Sequence, residues 1–172
     1  MSSLIERLRK IKDNRGMMAD LRCFLTPSQR HRAWPALYRV GIPITEEVSA
    51  FVAGLYAAHP DGDSLTIGNF GETCKCIEKS KDRDSHQEHQ SSTSSGRTPL
   101  TPTERRFQHL LAADRSEIQD RVRRMTFLAK SLGTPVNYEA LHKDLRFWGE
   151  RTKTQWAATY WSVEVKQEGG DQ

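Results

Sequence analysis

The sequence predicts an all-α protein built from two small helical domains, and three observations carry that prediction. No run alternates β-branched with polar residues between turn signals, as a half-buried strand would. Apolar residues recur instead at spacings of three and four along most of the chain. Residues that start helices, Thr or Asn and a following Pro or Glu, stand just ahead of the periodic stretches. The chain has 172 residues, 36% of them hydrophobic, and at that length folding hides about 70% of the unfolded surface. Three cysteines are therefore not needed as staples, and a disulfide-rich miniprotein is excluded.

Leu4, Ile5, Leu8 and Ile11 make a first apolar stripe, and Met17, Met18, Leu21 and Leu25 a second, divided at Asn14-Arg15-Gly16. Thr26-Pro27 reads as a cap and first-turn proline for the next helix, which Pro35 is expected to interrupt. Gly41-Ile42-Pro43 is a loop. Thr45, with Glu46 and Glu47 behind it, opens a helix whose inner side includes Val48, Phe51, Val52 and Leu55, and His59 to Asp63 ends it. Residues 79–97 contain no Leu, Ile, Val, Met or aromatic side chain. That composition cannot bury a core, so 79–98 is read as a disordered loop between an N-terminal domain, 1–78, and a C-terminal one, 99–166.

Thr101-Pro102-Thr103-Glu104 has the capping-box arrangement, ahead of Phe107, Leu110 and Leu111. Asp114-Arg115-Ser116-Glu117 repeats the spacing and opens a helix with Ile118, Val122, Met125, Ala129 and Leu132 on one side. At 100° per residue Arg123 and Lys130 fall about 140° and 120° from Ile118, and Arg124 about 240°. All three point away from the stripe. Gly133-Thr134-Pro135 breaks this helix, and Asn137 caps another carrying Tyr138, Leu141, Leu145 and Trp148. Trp156, Tyr160 and Val163 continue the pattern before a polar tail, 167–172. The second domain is thus expected to be a bundle of about four helices, with Trp148, Trp156 and Trp161 in its core and Trp34 elsewhere.

Charge is uneven. Residues 1–32 hold eight basic and three acidic groups, 33–70 one and four, and 99–132 seven and four. Two Arg-rich segments suit phosphate, because guanidinium is permanently charged and binds bidentately; solvated helix faces would look similar. Cys74, Cys76, His86 and His89 are the only metal-like grouping, but C-x-C followed by H-x-x-H misses the usual zinc spacings. No metal and no cofactor is expected. Cys23 follows Arg22 yet has no sequence sign of a catalytic partner, and there is no nucleophile elbow, no glycine-rich phosphate loop and no pair of carboxylates next to a candidate metal ligand. An enzyme is not expected. The uncharged stretches fall well short of the roughly 20 apolar residues of a membrane span, and residues 1–15 show no signal-peptide pattern, so the expectation is a cytoplasmic protein.

The order Gly16-x-x-Ala19-x-Leu21-Arg22, Trp34-Pro35-Ala36-Leu37-Tyr38-Arg39 and Gly68-Asn69-Phe70-Gly71 resembles the N-terminal half of the CasB family, the small subunit of the type I-E CRISPR Cascade complex. Arg105-Arg106-Phe107 running to Ala113-Asp114-Arg115 is similar to that family's C-terminal half, and Val122-Arg123-Arg124-Met125 and Asp144 to Gly149 follow at the expected distances. The resemblance implies a non-catalytic, two-domain, all-α subunit packed head-to-tail with a second copy of itself and touching the large and backbone subunits. It also implies contact with guide RNA and target DNA, in which basic residues help to hold separated strands once the guide invades the duplex. The contacts it carries over are Arg22, Arg39, Arg115, Arg123, Arg124 and Arg151, to which the helix geometry adds Lys130. Two departures weaken the basic surface: Cys23 stands where a second arginine is common, and Glu72, Thr73 and Cys74 replace basic residues after the glycine segment. A free-standing helical DNA-binding regulator and a protein scaffold without nucleic-acid contact are the alternatives. The basic helix lacks helix-turn-helix spacing to a partner, which counts against the regulator.

Overall fold

A computed structural model describes residues 2–85 and 99–163. Among these, α-helices account for the ordered backbone together with short 3₁₀ turns and an isolated bridge between Asp63 and Val136. The all-α prediction holds. The helices are α1 (Leu4–Lys10), α2 (Arg15–Arg22), α3 (Arg30–Val40), α4 (Glu47–Ala58), α5 (Phe70–Ser85), α6 (Pro102–Ala112), α7 (Ile118–Ser131), α8 (Tyr138–Arg146) and α9 (Glu150–Tyr160).

Several boundaries differ from the sequence reading, each for a physical reason. Pro35 does not interrupt α3; it sits exposed within it, where the carbonyl it leaves without an amide partner, that of His31, lies on an exposed turn. Thr26-Pro27 starts only a 3₁₀ turn, with no side-chain cap, and α4 is entered from Glu46 rather than Thr45. Asp114 accepts from the amides of Ser116 and Glu117 at 2.8 and 3.1 Å, so it caps a turn, and α7 begins after Glu117. Residues 79–85, the first part of the expected loop, are helical instead, because α5 runs to Ser85. Lys, Arg and Glu are good helix formers, and lacking a core face does not prevent their continuing a helix already docked. The remainder of that loop lies outside the described residues. The capping box at Thr101 and Glu104 is present in both directions, at 3.0 and 2.8 Å, and Asn14 and Asn137 cap α2 and α8.

Every residue of α4 from Ser49 to Ala58 is buried, and the helix packs against α1, α2, α7 and α8. A helix apolar all round belongs at a centre. The pair α5 and α9 forms the other main contact, with α6 and α7 also on α5. Buried apolar side chains from both groups belong to one cluster. Backbone and side-chain bonds lace the segment after α4 to the one after α7: Val136 N–H donates to the Gly62 carbonyl at 2.8 Å and Ser64 N–H to that of Val136 at 3.0 Å. Asn137 Nδ2 donates to the Ile67 carbonyl at 2.7 Å, and the Tyr138 hydroxyl to that of His59 at 3.0 Å. At the N-terminus the Arg9 fork grips Asp63 at 2.7 and 3.2 Å, and Arg7 donates to the carbonyls of Val40 and Gly41. Trp148 and Trp156 are buried as expected, whereas Trp161 is half-exposed against Phe107 and Tyr160, and Trp34 is exposed.

Candidate nucleic-acid interface

Helix α7 organises the basic surface, because its apolar stripe is narrow and its cations stand on two opposite flanks. One flank carries Arg123 and Lys130, seven residues and therefore about 10 Å apart along the axis. Lys130 opens onto a concavity of about 330 Å³ that it shares with Lys12, Arg15 and Arg22, floored by Met18 and the end of α4. Thus Arg22 and Lys130, 108 positions apart in sequence, line one concavity from α2 and α7. Lys12 is paired with Asp61 at 3.0 Å. Arg15, Arg22 and Lys130 are exposed and make no ion pair among the described residues.

Arg123 faces a second concavity, with Arg30, Arg115, Glu47 and Asp120. Its charge is largely committed. One guanidinium nitrogen donates to Asp120 at 2.7 Å and another to the Leu25 carbonyl at 3.4 Å, so Arg123 does not project freely as the helical geometry alone suggests. Arg30 lies over the Phe24 ring at 4.8 Å and pairs with Glu47 at 3.3 Å. Arg115 stands exposed at the turn before α7.

On the other flank Arg124 pairs with Asp120 at 2.9 Å and lines a concavity of about 520 Å³ with Arg106, His109, Arg121, Met125 and Leu128. Arg39 on α3 and Arg151 on α9 are exposed and line none of these three concavities. The seven residues anticipated from sequence are therefore spread over several surfaces, with only Arg22 and Lys130, and Arg115 and Arg123, brought together. Sequence reasoning missed Arg15, Arg106 and Arg121. Helical phase could have found Arg121, which precedes Arg124 by three residues on the same flank.

The cysteines offer little. Cys74 is fully buried and Cys76 half-buried, and burial pushes both thiols up, against thiolate formation. Cys23 Sγ donates to the Ala19 carbonyl at 3.4 Å. His86 and His89 lie outside the described residues, and among those described no group of three or more His, Cys, Asp or Glu could hold a metal. No helix among them is long and apolar enough to cross a membrane.

The family model described as CRISPR-associated protein Cse2 (CRISPR_cse2) matches residues 17–161. The chain belongs to that family. It is a CasB-type small subunit of a CRISPR Cascade complex, as the resemblance implied. Among solved structures the chain is similar to TTHB189, a CRISPR-associated protein of the Cse2 family from Thermus thermophilus, at 21% identity and a TM-score of 0.67 over 93% of this chain and 96% of that one. CasB from Thermus thermophilus is 23% identical with a TM-score of 0.64, covering 95% of this chain and 100% of that one. M. ruber CasB is 18% identical with a TM-score of 0.60 over 93% of each. At such identities these likenesses show a shared fold. No curated protein matches the chain.

Proposed function

We propose that this Cascade subunit holds nucleic-acid backbone without reading its sequence, and that it has no active site. The observation that carries the reading is the concavity between α2 and α7, where Arg15, Arg22 and Lys130 make no ion pair with a described acid and the lining acid, Asp61, is paired with Lys12. Cations without internal partners favour a diffuse anion such as a phosphate chain. Their exposed, flexible stems fit position-holding rather than base readout. Arg39, Arg115, Arg124 and Arg151 extend the contact along exposed surfaces, while Arg123 supports it through Asp120. R-loop formation exchanges one duplex for another of similar stability, so a few phosphate contacts are enough to bias it. Assembly with the large and backbone subunits, guide RNA and a second copy completes the reading.

The test is single-stranded DNA binding by the isolated chain across a salt series. Affinity is expected to fall as salt rises, with a log–log slope of about −0.7 per neutralised phosphate. The double substitution Arg22→Ala and Lys130→Ala is expected to make that slope shallower by about one to two such contacts without altering the fold. Salt-independent affinity, or a slope untouched by the double substitution, overturns the assignment.

A further inference from the structure

The α6–α7 concavity differs in kind from the α2–α7 groove, and the difference points to a different contact. It is bounded by Arg106 and His109 from α6 and Arg121 and Arg124 from α7, and its floor is apolar, made by Met125 and Leu128. Arg124 is tied to Asp120, which also holds Arg123. Arg106 and Arg121 have no ion-pair partner among the described residues, so the rim keeps an excess of positive charge over an apolar base. A bare phosphate track has no use for the apolar floor. An amphipathic helix laid in a groove needs three or four anchors spread over two turns, and this floor offers two side chains three residues apart. One flat ring matches it. The thioether of Met125 is a favourable neighbour for an aromatic face, and guanidinium planes stack on bases that have been splayed from a strand.

We propose that this concavity takes one nucleotide unit of single-stranded DNA, its phosphate held by Arg121 and its base laid on Met125 and Leu128 against the guanidinium plane of Arg106. This deepens the backbone-holding reading and rests on it: the α2–α7 groove tracks the phosphates, and the α6–α7 concavity lets go of duplex geometry by admitting an unpaired base. A base inside a duplex cannot enter. The site therefore favours a separated strand over a paired one, through shape and not through sequence.

The experiment uses the full chain with an oligothymidylate and an abasic deoxyribose-phosphate strand of the same length and charge, at matched salt. The oligothymidylate is expected to bind at least roughly fivefold more tightly, as when a stacking contact is kept on one strand and missing from the other. Arg106→Gln and, separately, Leu128→Ser should abolish that preference. The double substitution Arg22→Ala and Lys130→Ala should weaken both strands alike and leave the preference in place. Because Arg106 is exposed, its substitution keeps the test valid if Leu128→Ser compromises folding. Equal affinity for the two strands, or a preference that survives Arg106→Gln, overturns the base site while leaving the phosphate groove standing. Binding of neither strand overturns both.

Discussion

The core is filled in two ways. Around α4 many of the buried positions are small, with Ser49, Ala50, Ala53, Gly54, Ala57 and Ala58 set among Phe51, Leu55 and Tyr56 on the helix itself. Around α9 the packing is done by rings: Phe70 against Trp156 at 5.3 Å, Trp148 against Trp156 at 5.0 Å, and Phe107 stacked on Tyr160 at 4.3 Å. Small residues let helices approach closely, so that region depends on nothing being added. Rings fill wide gaps between helices, so the other depends on nothing being removed. Interiors are close-packed in either case, but the sign of the vulnerability reverses, and this can be tested directly.

The largest effect is expected where a ring is removed. Trp156 is fully buried, and its indole N–H donates to Asp144 at 2.7 Å. Trp156→Ala should cost about 3 to 5 kcal/mol of unfolding free energy, read from urea denaturation. It also deprives the half-buried Asp144 carboxylate, whose pKa burial already raises despite that bond, of its donor. A cost below about 1 kcal/mol would show that the region repacks like the α4 region.

Adding atoms should hurt most around α4, with one telling exception. A Cβ on Gly54 would lie 3.0 Å from Leu25 Cδ2 and 3.2 Å from the Leu21 carbonyl oxygen, and the carbonyl cannot step aside. Gly54→Val is expected to destabilise by about 1 to 3 kcal/mol by overpacking. The exception is Gly71, on α5, where a Cβ would collide with the backbone carbonyl of Trp156. The aromatic region thus relies on one glycine to bring α5 onto α9, and Gly71→Ala should be destabilising too. A neutral Gly71→Ala would mean that the two helices separate freely.

The contrast between the regions also explains what was legible in the sequence. Stripes at three- and four-residue spacing identified α1, α6, α7 and α8, because each has one wet side. Helix α4 was found, but its burial on all sides was not, since Ala, Gly and Ser carry little periodic signal. Trp148 and Trp156 declared themselves by size. The basic surface was harder to read: phase on α7 showed which cations leave the stripe, yet not that Arg123 would reach back to the Leu25 carbonyl, or that Arg22 would line one concavity with Lys130. Those pairings depend on how α2, α6 and α7 are docked, which no local pattern encodes.

A smaller effect is expected at the junction of α4 and α8, where His142 Nε2 lies 2.9 Å from Ser49 Oγ. Burial, aided by Arg146 and Arg7 and opposed by Glu46, holds the imidazole pKa below its ordinary value of 6.5. As pH drops through that value the unfolded chain gains a proton that the folded ring resists, so this group's stabilisation is present above about pH 6.5 and lost below it. His142→Gln should flatten that part of the stability profile between pH 7.5 and 5. An unchanged slope would place the titration elsewhere.

The smallest effects separate two neighbouring arginines. Arg123 has 34% of its side chain exposed and bonds both Asp120 and the Leu25 carbonyl, whereas Arg124, 68% exposed, bonds Asp120 alone. Arg123→Ala removes a stem packed between α7 and the segment after α2, and should cost about 1 kcal/mol. Arg124→Ala is a surface change that should stay within about 0.5 kcal/mol. DNA retention should rank them the other way, because Arg124 opens onto the α6–α7 concavity and Arg123 spends its donors internally. Measuring unfolding and strand affinity on the same two variants decides between them. If Arg123→Ala lowers affinity more than Arg124→Ala while leaving stability unchanged, Arg123 is the phosphate ligand and its internal bonds are exchanged on binding.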